Sequence, residues 1–388
     1  MSAPPSPRRS SGPRCVVIGA GAIGLSCALA LAREGGDVTV VEADSAGGVD
    51  AAPRAASYAA AGMLGAFSEA LHEGPGHHRK LSDLCALGLQ AWRTLGAADP
   101  SLARFVRFPG TLLLAHDEAD AARVRRACDR AQAHNSEARF FDGLAPDLDA
   151  RLFGTRVAAS AKLAEEGVLA PSPMMAALSA RIAALGGSIL RGRNVAEIVI
   201  GAGAVKGVEF DEGGGLSADA VVIATGALAP TALRVFAPAL KRLKPAKGAL
   251  GVVAAPATLA APEVVRTTRV YFVREGAEIR FGATMEVGRT DLDEDPEALA
   301  GLHLELKRAV PGVRFSDAVS AGGVGLRPMT PDGAPMVGPA GPAGCYIAAG
   351  HGRNGWLLAP VTGTAIAAMV LGVEAAPLWS SFGADRFR

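Results

Sequence analysis

The stretch GHGRNGWLLAP, residues 350–360, sets His351, Arg353 and Asn354 among Gly350, Gly352 and Gly355, directly before an apolar run. Glycines without a side chain let backbone come close to a ligand. An arginine near a helix start opposes the positive end of the helix dipole, so a negatively charged ligand accounts for Arg353 better than a bare surface position does. A second set is Gly19, Gly21 and Gly24 in VVIGAGAIGLS, spaced G-x-G-x-x-G, with Glu42 closing the next apolar run. A third is LHEGPGHH, in which His72, His77 and His78 are metal-binding residue types. No further ligand falls at a recognised spacing, so this segment reads as a solvated loop and no metal is expected.

These residues need elements to hold them. Cys15 to Ile18 is a short apolar run and predicts a buried strand. An Ala- and Leu-rich helical pattern follows to about Glu34, Gly35-Gly36 ends it, and Val38 to Val41 predicts a second strand. In such a βαβ unit Gly19 permits the tight turn, and Gly21 lets backbone reach a pyrophosphate at the helix N-terminus, beside Ala22 and Ile23. Gly24 lets helix and strand pack closely, and the Glu42 carboxylate, next to Ala43, can accept hydrogen bonds from an adenosine ribose.

Composition narrows the class. The chain has 388 residues, 49% hydrophobic and 20% charged, which suits a folded protein with a large core and two domains. The formal net charge is +1, from 39 basic and 38 acidic residues, and no basic field or module for nucleic acid stands out. The five cysteines are few and scattered, which argues for free thiols in a reducing, cytoplasmic compartment. Residues 1–13, MSAPPSPRRSSGP, read as a disordered tail. Arg8-Arg9 suggests an export signal only weakly, because the apolar stretch after it is needed by the fold. No run is long enough to span a membrane.

Further segments extend the pattern. AASYAAAGMLGAFSEA, residues 55–70, is a small-residue run ending in Gly62 and Met63. It suits close packing on a flat ligand, although a plain helix of small residues has the same composition. In SADAVVIATGALAP, residues 217–230, the apolar run Val221 to Ala224 ends in Thr225-Gly226. That turn falls where a parallel sheet offers its C-terminal edge to a cofactor. The segments LRPMTPDGAPMVGP (326–339) and GCYIAAGHGRNGWLLAP (344–360) complete the set.

Taken in this order, the segments resemble the D-amino-acid oxidase superfamily of FAD flavoenzymes. AAAGML, GATME, LRPMTPDG and GHGRNG with its LLAP most resemble the glycine oxidase branch, associated with thiamine biosynthesis. The resemblance covers roughly residues 14–375. Departures are Gly352, where that branch often has a larger residue, Trp356, where it has an aliphatic one, and Arg269, where other members carry histidine or another residue.

The resemblance implies a Rossmann-type parallel-sheet domain that binds FAD, carrying an inserted antiparallel-sheet substrate domain with a flanking helix. The FAD-binding parts are expected at 14–92, 158–232 and 325–376, and the substrate domain at 93–157 and 233–324. Within the second insertion Asp295 predicts a helix cap, with Pro296 first in the helix. The implied non-covalent FAD contacts are Ala56, Ser57, Ala61, Gly62 and Met63, Thr225 and Gly226, and Val195 near the adenine. Gly350, His351, Gly352, Arg353, Asn354, Gly355, Trp356 and Leu357 would lie along the flavin ring. His351 would serve mainly as a structural hydrogen-bonding group.

For the substrate, the resemblance implies Arg327 as carboxylate anchor, with Arg353 nearby and the Tyr271 hydroxyl as a third contact. Met285 would line the same cavity, though a core methionine fits its sequence equally. Trp356, Tyr271 and Met285 would together keep the pocket small. The implied activity is oxidative deamination of glycine or a similar small amino acid. Hydride passes from the α-carbon to flavin N5, the imine hydrolyses, and dioxygen or another acceptor takes the electrons, with hydrogen peroxide as product. A D-amino-acid or N-methyl-amino-acid dehydrogenase, and a flavin-holding subunit of a larger complex, remain open alternatives. A homo-oligomer is compatible with the sequence.

Overall fold

The computed structural model describes residues 12–45, 55–73, 78, 80–154, 156–256 and 261–387. Arg8, Arg9, His77 and the tail through residue 11 lie outside the described residues. The apolar run Arg14–Ile18 is buried at every residue but Arg14 and forms the centre of a six-stranded sheet. Asp37–Glu42 pairs parallel on one side and Ala220–Ile223 parallel on the other. Ser188–Arg191 extends the first side and Cys345–Ala349 the second, again in parallel, and Met336–Pro339 closes that edge antiparallel. Strands buried on both faces need continuous apolar sequence, as VVI, AVVI and CYIAA show. Neighbouring strands are reached from opposite sides of Arg14–Ile18, so the C-terminal ends there frame a crevice.

Helix Ala22–Arg33 follows the central strand, helix Gly355–Val370 packs on it, and helix Leu81–Ala98 packs on Gly355–Val370 in turn. Their approach is close because glycines meet backbone. A Cβ on Gly363 would fall on the Ser26 carbonyl, and one on Gly88 would lie 2.6 Å from the Leu357 carbonyl oxygen. After helix Pro171–Ala184 the chain forms two strands. Ser188–Arg191 joins the parallel sheet, whereas Val195–Gly201 starts a separate three-stranded antiparallel sheet. Gly192, at φ 68°, makes the break.

The second large sheet has nine strands. Lys244–Ala254 lies between Glu278–Gly282 and Ser320–Met329, and Tyr271–Glu275 pairs with Glu278–Gly282. Pairing is antiparallel throughout except where Val264–Arg266 runs parallel to Thr111–Ala115. The sheet also takes in Ala159–Leu163. Helix Pro296–Ala309 covers one face with Leu299, Leu302 and Leu306 against Phe281 and Ile279. Asp295 caps it, accepting from the Ala298 amide at 2.9 Å, a contribution of about 1 kcal/mol.

Residues 55–60 form turns and not a helix. Their small side chains seat on the bare strand beside them: a Cβ on Gly325 would lie 3.0 Å from the Ala56 Cα. Among the described residues no helix is long and apolar enough to cross a membrane. All five cysteines are buried and unpaired.

Candidate active site

A cavity of about 810 Å³ opens along the C-terminal edge of the parallel sheet and runs to the nine-stranded sheet. At its first end Gly19 takes φ 108°, and a Cβ there would lie 2.5 Å from the Ala224 carbonyl oxygen. Gly21, Ala22 and Ile23 border the cavity. Gly24 does not: its Cβ would fall on the Gly19 carbonyl, so it serves the close packing of helix on strand. The Glu42 carboxylate is fixed by two backbone amides, Ala20 at 2.6 Å and Asp44 at 2.9 Å, with Ala43 between it and Asp44. Val195, Thr225 and Gly226 complete this end.

The middle of the cavity is walled by Ala56, Ser57, Ala61, Gly62 and Met63, and by residues 350–356. Ser57 joins two helix starts. Its hydroxyl accepts from the Ala22 amide at 2.9 Å, and its carbonyl accepts from the Trp356 indole N–H at 3.0 Å. Trp356 is 5% exposed, and its own carbonyl accepts from the Trp92 indole at 2.7 Å. Ser57 thus holds the Trp356 indole N–H, and Trp92 holds the Trp356 backbone. Trp356 borders the cavity, as its sequence reading expected, and also staples the 55–60 turns through its indole N–H. Leu357 does not border the cavity; it is buried in the helix layer.

The glycines of residues 350–355 divide their roles. A Cβ on Gly350 would lie 2.5 Å from Thr330 Cγ2, and one on Gly352 would lie 3.2 Å from the Met329 sulfur. Those two make room for the protein's own strand end. Gly355 has open space in front of it and starts the helix, with Asn354 at its cap and no side-chain capping bond. The His351 imidazole bonds Thr362 at 2.9 Å, and burial holds it at about 3, neutral.

At the far end, Arg327 projects from Ser320–Met329 across the adjoining strand. A Cβ on Gly248 would fall on its guanidinium, so that glycine is a trough for the arginine. Arg327 donates to the Thr284 carbonyl at 2.9 Å and approaches the Met285 sulfur at 3.8 Å. Among the described residues it forms no ion pair with a carboxylate. Gly282 is a second trough, 2.9 Å from the Tyr271 hydroxyl oxygen at its Cβ position. Burial raises the Tyr271 hydroxyl, partly offset by Arg327 and Arg353, so it is a protonated donor. Met285, 39% exposed, borders the cavity and is not a core residue.

Arg353 is not left free. Its Nε meets the Glu69 carboxylate at 3.1 Å, whose other oxygen takes Arg266 Nη2 at 2.6 Å. Burial would raise the Glu69 carboxyl, but Arg266 and Arg353 outweigh it and hold it at about 2. Arg266 is fully buried and also donates to the Ser68 hydroxyl at 3.0 Å. Buried Glu166 accepts from the Phe67 and Ser68 amides at 2.7 and 2.8 Å and so anchors the turn that carries Glu69. His72, on that same turn, is half-buried and borders the cavity. Burial first, then Arg266 and Arg353, hold it at about 3. It is therefore no part of a solvated loop, and neither is His78, which bonds the Ser381 carbonyl at 2.9 Å and stacks on Phe382. No metal-binding cluster occurs among the described residues.

Residues 14–369 match the family model of FAD dependent oxidoreductases known as DAO. The chain belongs to that family.

Its sequence is 30% identical to D-amino acid dehydrogenase 2 of Pseudomonas aeruginosa over 92% of this chain and 94% of the relative. It is 29% identical to the glycine oxidase of Geobacillus kaustophilus over 91% of this chain and 92% of the relative. The crystal structure of glycine oxidase from Geobacillus kaustophilus superposes with a TM-score of 0.80, at 27% identity over 94% of this chain and 96% of that one. The residues present suit the family's FAD. Two helix N-termini, at Ala22 and Gly355, meet at the cavity, where the positive ends of the helix dipoles favour anionic groups. Thr225 Oγ1 and His351 Nδ1 are buried there without a hydrogen-bond partner among the described residues.

Sequence reasoning missed Glu69 and Arg266 and the trough glycines Gly248 and Gly282, and placed His72 in a solvated loop. SEALHE, directly after the small-residue run, was the one signal for Glu69 and His72.

Proposed function

We propose that this DAO-family enzyme oxidises small amino acids at the Cα–N bond, with non-covalently held FAD. The observation that carries this reading is Arg327, a half-buried guanidinium whose charge burial disfavours and which has no carboxylate partner among the described residues, beside Tyr271 at the end of the cavity. A buried charge without a counter-ion is costly, and a ligand carboxylate removes that cost. Bound FAD supplies the hydride-accepting chemistry. Arg327 would take both carboxylate oxygens in its fork and Tyr271 would donate to one of them. The three arginines, against Glu69 alone, leave a positive field that favours the neutral form of the substrate amine, the form that can release hydride. With pKa values near 2 and 3, Glu69 and His72 are poor bases at neutral pH, so the amine is read as losing its proton to solvent.

The FAD-binding domain is read as 14–92, 158–232 and 325–376, and the substrate domain as 93–157 and 233–324, with Ala159–Leu163 and Ser320–Met329 running between them. Glu42 is assigned to the ribose, and residues 350–356 to the flavin edge. Non-covalent attachment is supported by the lack of cysteine among the cavity-bordering residues, and acid precipitation should release yellow flavin. Substrates of the size of glycine, sarcosine or D-alanine are favoured, because Tyr271 and Met285 bound the carboxylate end. Dioxygen is the proposed acceptor, with hydrogen peroxide formed. The likeness to a D-amino acid dehydrogenase supports a second reading, transfer to another acceptor, and peroxide release under air separates the two. A cytoplasmic setting is consistent with five free thiols, and a link to thiamine biosynthesis rests on the glycine oxidase likeness.

The test is anaerobic bleaching of the bound flavin by amino acids, in wild type and Arg327→Lys. Lysine keeps the charge and loses the fork, so the substrate KM should rise about 10- to 100-fold, equivalent to one charge-assisted hydrogen bond, with the resting spectrum unchanged. Unaltered kinetics would remove Arg327 as the anchor.

A further inference from the structure

The charges at the substrate end do not cancel among the described residues. Arg353 and Arg266 share Glu69. A single substrate carboxylate would answer Arg327. Arg269, a residue at the border of the cavity with a side chain 67% exposed, adds a further positive charge. Its nearest carboxylate, Glu305, stands 3.9 Å away and is already bonded to Arg308. Asp120, also near this turn, accepts from the Thr268 hydroxyl at 2.6 Å and forms no ion pair with Arg269 within 4 Å.

The backbone beneath Arg269 is fixed. Thr267 Oγ1 accepts from the Arg269 amide at 3.1 Å and the Val270 amide at 3.0 Å, and the Thr267 amide donates to the Val270 carbonyl at 2.8 Å. This tight turn holds Arg269 two residues before Tyr271, on the rim of the same cavity. A long cationic side chain on a rigid base, with a weak partner and open space ahead, is suited to a flexible second anionic group.

We propose that Arg269 forms a second anion subsite, and that among substrates with a polar side chain those carrying an additional carboxylate are favoured. This rests on the reading of the cavity as an amino-acid site. Arg327 then takes the α-carboxylate deep in the cavity, and Arg269 takes the distal carboxylate at its mouth. Because Arg269 is exposed, its attraction is screened by salt and modest in size.

The experiment is stopped-flow reduction of the holoenzyme by D-aspartate and D-asparagine, which match in shape and differ in charge. At low ionic strength the second-order rate constant for D-aspartate should exceed that for D-asparagine about tenfold. Arg269→Gln should bring the ratio to about one, Arg269→Lys should keep most of it, and added salt should shrink it in the wild type. A wild-type ratio of one or less, or a ratio that Arg269→Gln leaves alone, overturns the proposal. If glycine and D-alanine still bleach the flavin in that case, only the second subsite is lost. If no amino acid bleaches it, the amino-acid reading fails and the subsite with it.

Discussion

Glu69→Gln removes one charge from a buried three-residue network and keeps its shape. The carboxylate meets Arg266 at 2.6 Å and Arg353 at 3.1 Å, and its side chain is 16% exposed. Two routes give the size of the loss. The Glu69 carboxyl lies at about 2 against an ordinary 4.5, a shift worth about 3 kcal/mol at about 1.4 kcal/mol per pH unit. Breaking a buried ion pair by removing one partner costs about 3 to 5 kcal/mol. The two agree near 3 kcal/mol. The sign with pH follows from linkage. A carboxyl depressed in the folded state contributes stability above its unfolded pKa, and that contribution disappears as pH falls through about 2. Urea unfolding of the holoenzyme should therefore show Glu69→Gln less stable than wild type by about 3 kcal/mol at pH 7, with the gap narrowing below about pH 4.5. A gap under about 1 kcal/mol at pH 7, or one that holds constant to pH 3, would show that Glu69 carries no net stabilisation and that the network reasoning is wrong.

Two further substitutions separate packing from function. Gly248→Ala places a methyl where the Arg327 guanidinium lies, and a flexible side-chain end can swing aside. Stability should change by less than about 1.5 kcal/mol while KM for carboxylate substrates rises at least about tenfold, and a normal KM would refute the trough. His351, held neutral at about 3 by burial, takes up a proton on unfolding anywhere between about pH 3 and 6.5. Its contribution is complete above 6.5 and falls by about 2 kcal/mol at pH 5. In His351→Asn the loss of urea stability between pH 7 and pH 5 should be smaller by that amount, and an equal loss in both proteins would contradict it.

How much of this was legible follows from how local each signal is. The G-x-G-x-x-G turn, its strand and Glu42 lie within one stretch of chain and need only their own spacing to be read. The Asp295–Pro296 helix start is equally local. Arg327 was marked by its motif. Glu69, Arg266 and Arg353 are far apart in sequence, and no periodicity links a turn after residue 68 to a strand ending at 266. Gly248 and Gly282 gave no sign because a glycine opposite a long side chain matters only once strand register is known. Trp356 borders the cavity as its place at the helix start suggested, but that place does not fix which way its indole N–H turns. The Ser57 carbonyl decides that here.

The order of strands in the parallel sheet bears on how the chain is made. The central strand Arg14–Ile18 is translated first, yet its neighbours include Ala220–Ile223, which in turn needs Cys345–Ala349. Ser57 cannot accept from Trp356 until the final long helix has left the ribosome. During synthesis the apolar N-terminal βαβ unit must wait for partners hundreds of residues away, a topology that folds slowly and exposes sticky surface meanwhile. Chains arrested before Cys345 should therefore be readily cleaved by protease and hold no flavin, whereas chains released past residue 375 should resist cleavage. Early FAD capture by a shorter nascent chain would show that the N-terminal unit matures alone.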